Sequence, residues 1–361
     1  MKKSILFLVC LLAGMSLCRA QGSFRVSGKV SGVPDGTLLL VRNDGVALDT
    51  VATTSLKNGA FSFEGEADAP FGAMLVTADG SLNFSMIVEM TNVMVNVTPN
   101  GALIQGGEQQ QLFAAYNRVG QRFIAEQASI SAEARQPGAD TDALQIRVDH
   151  AYKAFVDRTL ELVKANPDAY ATAYVIALGV QNETEESLQA KYELLGKNAR
   201  NSVPGKGIAA ALDRFGALAV GQVAPNFTVK RMNGDALTLY DVPAKIKLLV
   251  FWASWDAASR RENPDLIKIY QQFRPRNFEI ISVSLDDNRF AWDRAVEQDG
   301  LVWSNGSDLL GTNSPVAKLY MVGSTLPYTI LLDGEYRIVA KGLLGKELRK
   351  AISDLVKSTK K

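Results

Sequence analysis

The spacing of hydrophobic and polar residues changes twice along the chain, and the first of the three resulting parts has a period of two. Apolar and polar residues alternate at residues 24–31 and 93–98, as they do in strands with one buried face. Turn signals separate such runs at short intervals: Pro34-Asp35-Gly36, Asn43-Asp44-Gly45, Asn58-Gly59, Asp79-Gly80 and Pro99-Asn100-Gly101. Residues 21–106 are therefore predicted to form a β-rich domain, an antiparallel sandwich or barrel.

Residues 107–217 have the helical period instead. Apolar side chains recur every three or four residues along two stripes: Leu112, Tyr116, Val119 and Phe123, then Leu144, Val148, Tyr152 and Phe155. Helix breaks are predicted at Gln136-Pro137-Gly138, Asn166-Pro167-Asp168 and Val203-Pro204-Gly205. This part is predicted to be a helical linker domain whose aromatic stripes form its core. His150 has no clustered partners, so we expect a structural or exposed histidine and not a ligand.

Residues 218–361 alternate between buried strands and helices. Continuous apolar runs predict strands at 247–252, 279–285 and 328–332, and the turn at Asp333-Gly334 leads into an edge strand at 337–340. Helices are predicted at 263–273, 290–299 and 346–357. This order predicts an α/β domain with a mixed sheet of four or five strands and helices on both faces. The whole chain is thus predicted to be an α+β multidomain protein.

The N-terminus has the pattern of an export signal. Lys2 and Lys3 precede an apolar run at residues 5–12, and small residues close the segment at Ala20. This order is typical of a secretory signal peptide over residues 1–20, which predicts an exported protein of the periplasm or cell envelope with no later membrane span. Two alternatives stay open: a membrane anchor, for which the run is short, and lipidation at Cys18, for which Leu17 fits poorly.

Composition narrows the candidate chemistry. Acidic and basic residues number 38 and 39, so the net charge of +1 speaks against nucleic acid or an anionic membrane surface as the partner. The chain has one histidine, His150, and two cysteines, Cys10 and Cys18, both inside the predicted signal peptide. Zinc and redox-metal sites need more such ligands. A calcium ion bound by carboxylates stays open, although the EF-hand spacing is absent. No cofactor is predicted.

A short segment of the third part resembles a known active site. Residues 251–264 read FWASWDAASRRENP, which resembles the Trp-Cys-x-x-Cys segment of thioredoxin-like proteins, with Asp256 and Ser259 at the two cysteine positions. Residues 220–227 and Thr325-Leu326-Pro327 resemble TlpA and ResA proteins of the AhpC/TSA-like group. The resemblance implies a thioredoxin fold over residues 218–361. The first part resembles the β domain that precedes such domains in exported Bacteroidetes-type proteins.

The replaced residues contradict the chemistry that the resemblance implies. Thiol–disulfide exchange proceeds through a mixed disulfide, which neither Asp256 nor Ser259 can form. A serine nucleophile needs an adjacent base, and the single histidine lies in the helical part. We therefore expect Asp256 to act as the N-cap of the following helix, and Ser259 to bond within its first turn. New chemistry at these two residues is the alternative.

Other positions of the resemblance are retained. It implies that Trp252 and Trp255 form an aromatic wall, that Glu262 takes the place of the family's carboxylate, and that Pro327 is a cis proline facing the motif. Leu326, Pro327 and Tyr328 would then line a shallow apolar groove with Trp255, where an extended peptide could add by β-augmentation. Without a thiol to tune, Glu262 is expected to be a first-turn helix acid. Residues 284–287, which include Asp286, are interpreted as fold-defining.

Three functions remain for this combination. The first is a redox-inactive binding module for a peptide or an envelope protein, which the missing cysteines favour. The second is a thiol–disulfide oxidoreductase, which family resemblance alone implies. The third is a structural role in which the β-rich and helical parts assemble into an oligomer or an envelope complex. The identity of the partner does not follow from the residues.

Overall fold

A computed structural model describes residues 22–45, 48–99 and 101–358 of the chain. The predicted signal peptide, with Cys10 and Cys18, lies outside the described residues. Contacts divide the chain into two units, one ending at Leu160 and the other beginning at Glu161. The predicted domain boundaries at residues 106 and 217 stay predictions. Within the described ranges, no helix has both the length and the apolar character needed to cross a membrane.

The first unit begins with a two-sheet β sandwich, which confirms the prediction for the β-rich part. One sheet has the strand order β4-β1-β7-β8 and the other has the order β3-β2-β5-β6. The strands are β1 (Gly22–Val30), β2 (Gly36–Asn43), β3 (Leu48–Leu56), β4 (Ala60–Ala67), β5 (Phe71–Thr77), β6 (Asn83–Val88), β7 (Asn92–Thr98) and β8 (Gly101–Gln105). Asn58 and Gly59 turn between β3 and β4 with φ angles of 50° and 74°, as an Asn-Gly hairpin turn requires.

One pairing departs from the predicted antiparallel arrangement. β1 lies between β4, which is antiparallel to it, and β7, which runs parallel to it from Arg25↔Asn92 to Val30↔Val97. The alternation of apolar residues determines which face of a strand is buried but not the direction of its neighbour, so the sequence could not reveal this. The inward-facing side chains, among them Phe24, Val26 and Val95, form one core between the sheets.

Two long helices, α1 (Glu108–Ala134) and α2 (Thr141–Ala165), follow the sandwich. Gly107 at the N-cap of α1 has no side chain, and the Glu89 carboxylate instead accepts the amide hydrogens of Gln109 at 3.2 Å and Gln110 at 3.1 Å. The rings of Phe123 on α1 and Phe155 on α2 stack with centroids 5.0 Å apart. The two helices therefore share an aromatic contact, but the stripes do not form the predicted core, because Phe123 and Phe155 are only half-buried and Tyr152 is 58% exposed. His150 is exposed on α2.

The second unit opens with shorter helices than the sequence predicted. After the end of α2 come α3 (Tyr170–Gly179), α4 (Glu185–Leu194), α5 (Lys197–Asn201) and α6 (Val203–Ala217). Val203-Pro204-Gly205 forms the first turn of α6. Proline is tolerated there because the first amides of a helix have no hydrogen-bond acceptor within the helix. The Ser202 hydroxyl caps this turn by accepting the amide hydrogen of Gly205 at 3.2 Å. The tripeptide therefore starts a helix and does not merely precede it.

The rest of the second unit is an α/β domain built on a seven-stranded mixed sheet. The strand order is β10-β9-β13-β12-β11-β14-β15. The strands are β9 (Thr228–Arg231), β10 (Ala236–Thr238), β11 (Ile246–Trp252), β12 (Phe278–Ser284), β13 (Ser304–Ser307), β14 (Tyr328–Leu332) and β15 (Ile338–Lys341). The helices are α7 (Ala257–Phe273), α8 (Arg289–Asp299), α9 (Pro315–Leu319) and α10 (Gly345–Ser358).

The sheet confirms the predicted fold class and exceeds the predicted number of strands. The four predicted strands correspond to β11, β12, β14 and β15. The other three, β9, β10 and β13, have only three or four residues each, and β13 reads SNGS without an apolar run. Such short polar strands carry no periodicity to detect. α7 also begins six residues before the predicted start at residue 263, because Asp256 caps it.

The parallel pair of β1 and β7 predicts a strict requirement for glycine at position 28. A Cβ atom on Gly28 would lie 1.7 Å from the carbonyl oxygen of Val95, which is backbone and cannot move aside alone. We expect Gly28→Ala to destabilise the sandwich by about 3 kcal/mol. Gly120→Ala, in the middle of α1 with open space around it, should stabilise the helix by about 1 kcal/mol.

Far-UV circular dichroism during urea unfolding measures both effects. All four tryptophans lie in the α/β domain, so their fluorescence provides an internal reference for the part that neither substitution touches. Equal unfolding midpoints for Gly28→Ala and the wild type would contradict the close approach of the two strands.

Candidate functional site

The segment that resembles a thioredoxin motif joins the centre of the sheet to α7. β11 is flanked by β12, which is parallel, and by β14, which is antiparallel. Phe251 near the end of β11 pairs with Tyr328 at the start of β14. Trp252 directly follows Phe251, and Pro327 directly precedes Tyr328. The motif loop (residues 253–256, after β11) and the proline loop (residues 323–327, before β14) therefore lie at the same end of two neighbouring strands.

Asp256 is the N-cap of α7, as the sequence predicted. It has extended backbone angles of φ −86° and ψ 113°, and its Oδ1 accepts the amide hydrogen of Ser259 at 2.6 Å. The first amide groups of a helix have no acceptor within the helix, and its dipole favours a negative charge there. A carboxylate at this position therefore supplies both an acceptor and a charge of the right sign.

Ser259 is fully buried in the first turn of α7. Its amide bonds to Asp256, but its Oγ has no hydrogen-bond partner among the residues that the structure describes. The predicted local bond within the first turn therefore involves its backbone and not its hydroxyl. No base contacts the hydroxyl, so the arrangement provides no means to activate it as a nucleophile.

A buried carboxylate holds the motif loop against the next strand. Asp286, which follows β12, accepts hydrogen bonds from the Ser254 amide at 3.0 Å and from the Ser254 and Ser284 hydroxyls at 2.5 Å each. Its side chain is almost completely buried. Hydrogen bonds to an ionised acceptor are about twice as strong as neutral ones. Asp286 therefore positions the loop that contains Trp255 and Asp256.

A second ionic group joins the loop to α8. The Arg260 guanidinium donates to both oxygens of Asp299, at 2.6 and 2.7 Å, and to the Ser254 carbonyl at 3.3 Å. The hydrogen bond to Asp299 raises the pKa of Arg260 further above its ordinary value. Asn263 donates to the same carboxylate at 2.6 Å. Sequence reasoning missed this pair because its members are 39 residues apart in sequence.

Glu262 has a structural partner. Its Oε1 accepts the amide hydrogen of Gly345 at 3.0 Å, at the first residue of α10. Gly345 has a φ of +50°, which favours glycine. The carboxylate at this position therefore links the start of α10 to α7. The expectation of a first-turn helix acid is wrong, because α7 begins at Ala257 and Glu262 lies in its second turn.

The residues predicted to form a groove differ widely in exposure. Trp255 is 59% exposed, whereas Leu326 is 6% exposed and Pro327 is buried. The Leu326–Pro327 peptide bond is cis, which confirms that expectation. Tyr328 is partly buried, and burial raises its pKa. Trp252 lies in the core with almost no exposed surface, so its side chain packs within the domain and offers no wall to a ligand.

The helices at the start of the second unit reach the proline loop. The 3₁₀ turn Val180–Asn182 follows α3, and a Cβ atom on Gly323 would lie 2.4 Å from the Gln181 carbonyl oxygen. Only glycine permits this approach of two backbones. The helical segment therefore contacts the chain three residues before Leu326.

A cavity of about 340 Å³ opens beside the motif loop. It is lined by Ser254, Arg260, Phe290, Ala291, Arg294, Ala295 and Gln298. Phe290 is 75% exposed, whereas Trp292 and Val296 on the opposite face of α8 are buried in the domain core. The sequence predicted the helix α8 but did not assign it to a functional site, because a single exposed aromatic residue does not by itself indicate a binding site.

Comparisons with known proteins agree with this architecture. Residues 220–341 match the AhpC/TSA family, and residues 24–113 match a domain of unknown function, DUF4369. The thiol-disulfide oxidoreductase ResA of Bacillus thuringiensis is 28% identical over 142 residues, which cover 38% of this chain and 77% of ResA. ResA of Bacillus subtilis is 29% identical over 123 residues, covering 34% and 66% of the two chains.

Solved structures align with the same part of the chain. The thioredoxin domain of a thiol-disulfide oxidoreductase from Bacteroides vulgatus has 33% identity and a TM-score of 0.37, covering 38% of this chain and 99% of that one. A thiol-disulfide oxidoreductase from Bacteroides fragilis has 31% identity and a TM-score of 0.36, covering 37% and 99%.

The cap at Asp256 predicts how substitutions there change stability. Asp256→Ala leaves the first amides of α7 without their acceptor and should cost about 1 kcal/mol of unfolding free energy. Asp256→Asn keeps an acceptor and loses only the interaction with the helix dipole, so about 0.5 kcal/mol is expected. Tryptophan fluorescence during guanidinium unfolding measures both. The assignment of Asp256 as a cap fails if the two variants are equally stable.

Proposed function

We propose that this chain is a redox-inactive binding module of the cell envelope. Its C-terminal domain belongs to the AhpC/TSA family of thioredoxin-like proteins. It would hold an extended peptide, or a segment of an envelope protein, at the end of β11 and β14 where the motif loop and the proline loop lie. Capture would be non-covalent. The observation that carries the proposal is the absence of cysteine after Cys18 in the chain.

Sulfur is indispensable to the chemistry of the relatives named as oxidoreductases. A thiolate attacks a disulfide, one sulfur leaves as a thiolate, and a mixed disulfide links the two proteins in between. Asp256 and Ser259 have only oxygen at the corresponding places, and each is already engaged in the first turn of α7 through the Asp256 carboxylate and the Ser259 amide. The polar groups that remain would stabilise a helix end and would transfer no electrons.

The proposed binding surface combines one exposed ring with backbone. Trp255 projects at the motif loop, and the proline loop leads into the neighbouring strand β14 with Leu326 and Pro327 buried and Tyr328 partly exposed. Backbone groups next to a strand end can pair with an added extended chain, and an aromatic side chain can supply apolar area to it. Leu326 has little free surface, so Trp255 would contribute most of the contact area.

Export and domain organisation belong to the same proposal. Residues 1–20 would be removed as a signal peptide, or Cys18 would carry a lipid after a different cleavage. Residues 21–106, 107–217 and 218–361 would then be the β-rich, helical and thioredoxin-like domains of the exported chain. A structural role within an oligomer is the competing assignment, and size-exclusion chromatography with light scattering would favour it by finding a stable multimer.

The competing enzymatic function makes a direct biochemical prediction. Several relatives bear the name thiol-disulfide oxidoreductase, so an active member would reduce insulin in the presence of dithiothreitol. We expect the protein purified from the exported fraction to match the uncatalysed rate. The double variant Asp256→Cys and Ser259→Cys is the matched control, and it should exceed that rate. Turnover by the unaltered protein would contradict redox inactivity.

The binding surface predicts a second outcome. Crosslinking followed by pulldown from the exported fraction should recover partners with the wild type, and Trp255→Ala should reduce their yield at least fivefold. Tyr240→Ala is a matched control, because Tyr240 is also a partly exposed aromatic residue but packs against Tyr336, in the turn between β14 and β15, at the opposite end of the strands from the motif loop. Equal yields from the wild type and Trp255→Ala would remove the motif loop from the binding surface.

A further inference from the structure

The cavity between the motif loop and α8 has a cationic side chain without an anionic partner. We propose that this cavity receives an aspartate or glutamate side chain of the peptide segment bound at the motif loop, through Arg294. The inference rests on the proposed function and specifies its ligand as an acidic segment of a partner protein. Two observations support it, namely the different pairing of the two arginines in the cavity and the arrangement of its walls.

The two arginines of the cavity differ in what they already bind. Arg260 is committed to Asp299, to which it donates two hydrogen bonds of 2.6 and 2.7 Å. Arg294 forms no ion pair or hydrogen bond among the residues that the structure describes, and it is exposed. A guanidinium offers five N–H donors in a planar fork that matches a carboxylate with two parallel bonds. The free binding capacity of the cavity therefore belongs to Arg294.

The surrounding acids do not neutralise Arg294. Asp286 lies behind Ser254, is buried, and already accepts three hydrogen bonds. Asp299 is shared by Arg260 and Asn263. On α8 itself, Asp293 faces Arg289 at 3.6 Å, and Glu297 is exposed without an ion pair to Arg294 in the described part of the chain. The lining residues consequently include two cations and no anion.

The walls of the cavity suit one or two side chains. Phe290, Arg294 and Gln298 recur every fourth residue, so they lie along one face of α8, with the small residues Ala291 and Ala295 beside them. Phe290 offers an exposed ring for an apolar neighbour of the acidic residue. At about 340 Å³ the cavity is near the lower end of ligand pockets. Its composition therefore fits a carboxylate flanked by an apolar side chain.

The cavity is continuous with the motif loop. Ser254 lines it, and Trp255 is the next residue, exposed at the surface. Asp286 and Arg260 both bond to Ser254, so the wall on this side is held in place before any ligand arrives. Preorganised donors reduce the free-energy cost of ordering a binding site. A segment that contacts Trp255 can accordingly place a neighbouring side chain in the cavity.

Selection from a random peptide library tests the proposal on the full mature chain. Nonapeptides displayed on phage are selected on the wild type and on Arg294→Gln, Arg294→Lys, Arg289→Gln and Trp255→Ala. We expect aspartate or glutamate to be enriched next to an apolar residue on the wild type. Fluorescence anisotropy should then give a Kd at least tenfold weaker for Arg294→Gln, and an intermediate Kd for Arg294→Lys, which lacks the planar fork.

The control and the salt dependence separate a specific contact from general charge. Arg289→Gln removes an equal charge from the same helix, at a residue paired with Asp293, and should leave the Kd within twofold of the wild type. Binding should weaken as salt rises, because the contact is ionic. Substituting asparagine for the acidic residue of a selected peptide should reproduce the loss seen with Arg294→Gln.

The outcomes distinguish this inference from the proposed function. Peptides that depend on Trp255 but show no acidic preference, or that bind Arg294→Gln as well as the wild type, would overturn the acidic ligand and leave the binding module intact. Failure of any peptide to be enriched on the wild type would count against both. Acidic peptides that require Arg294 would support both.

Discussion

The free amide groups at the N-terminus of α7 are the constraint on which the site depends. They follow the end of β11, and a helix start left without acceptors there would be less stable. Asp256 satisfies this requirement with a carboxylate on the Ser259 amide. A thiolate at residue 256 would be stabilised by the same amides and dipole, so this helix end favours a negatively charged side chain of either kind.

Three carboxylates, of which Asp286 is buried and two are partly buried, hold the loop that leads to this helix. Asp286 ties Ser254 to the end of β12, and Asp299 ties Arg260 on α7 to α8. Glu262 connects α7 to the start of α10. The loop, α7, α8 and α10 are therefore joined around one point by hydrogen bonds to carboxylates.

The sequence predicted the parts of this structure that rest on long apolar patterns. The runs at β11, β12 and β14 are buried strands because each contains a continuous stretch of large apolar side chains. The sequence missed β13, whose residues Ser304–Ser307 are polar and small, because its place in the sheet comes from pairing with β12. Asp256 was predictable as a cap because the interaction is local. The pair Arg260–Asp299 was not, since only the packing of α8 beside α7 brings the two together. The direction of β7 beside β1 was hidden for the same reason.

The Ser259 hydroxyl, which has no hydrogen-bond partner among the described residues, bears on which side chains the first turn of α7 can accept. A cysteine tolerates a buried place without a hydrogen bond, whereas a serine there forgoes the hydrogen bond that its oxygen would make in water. Replacement of Ser259 by cysteine would accordingly remove an unsatisfied oxygen, so the hydrogen bonds of α7 give no reason for an oxygen at this place.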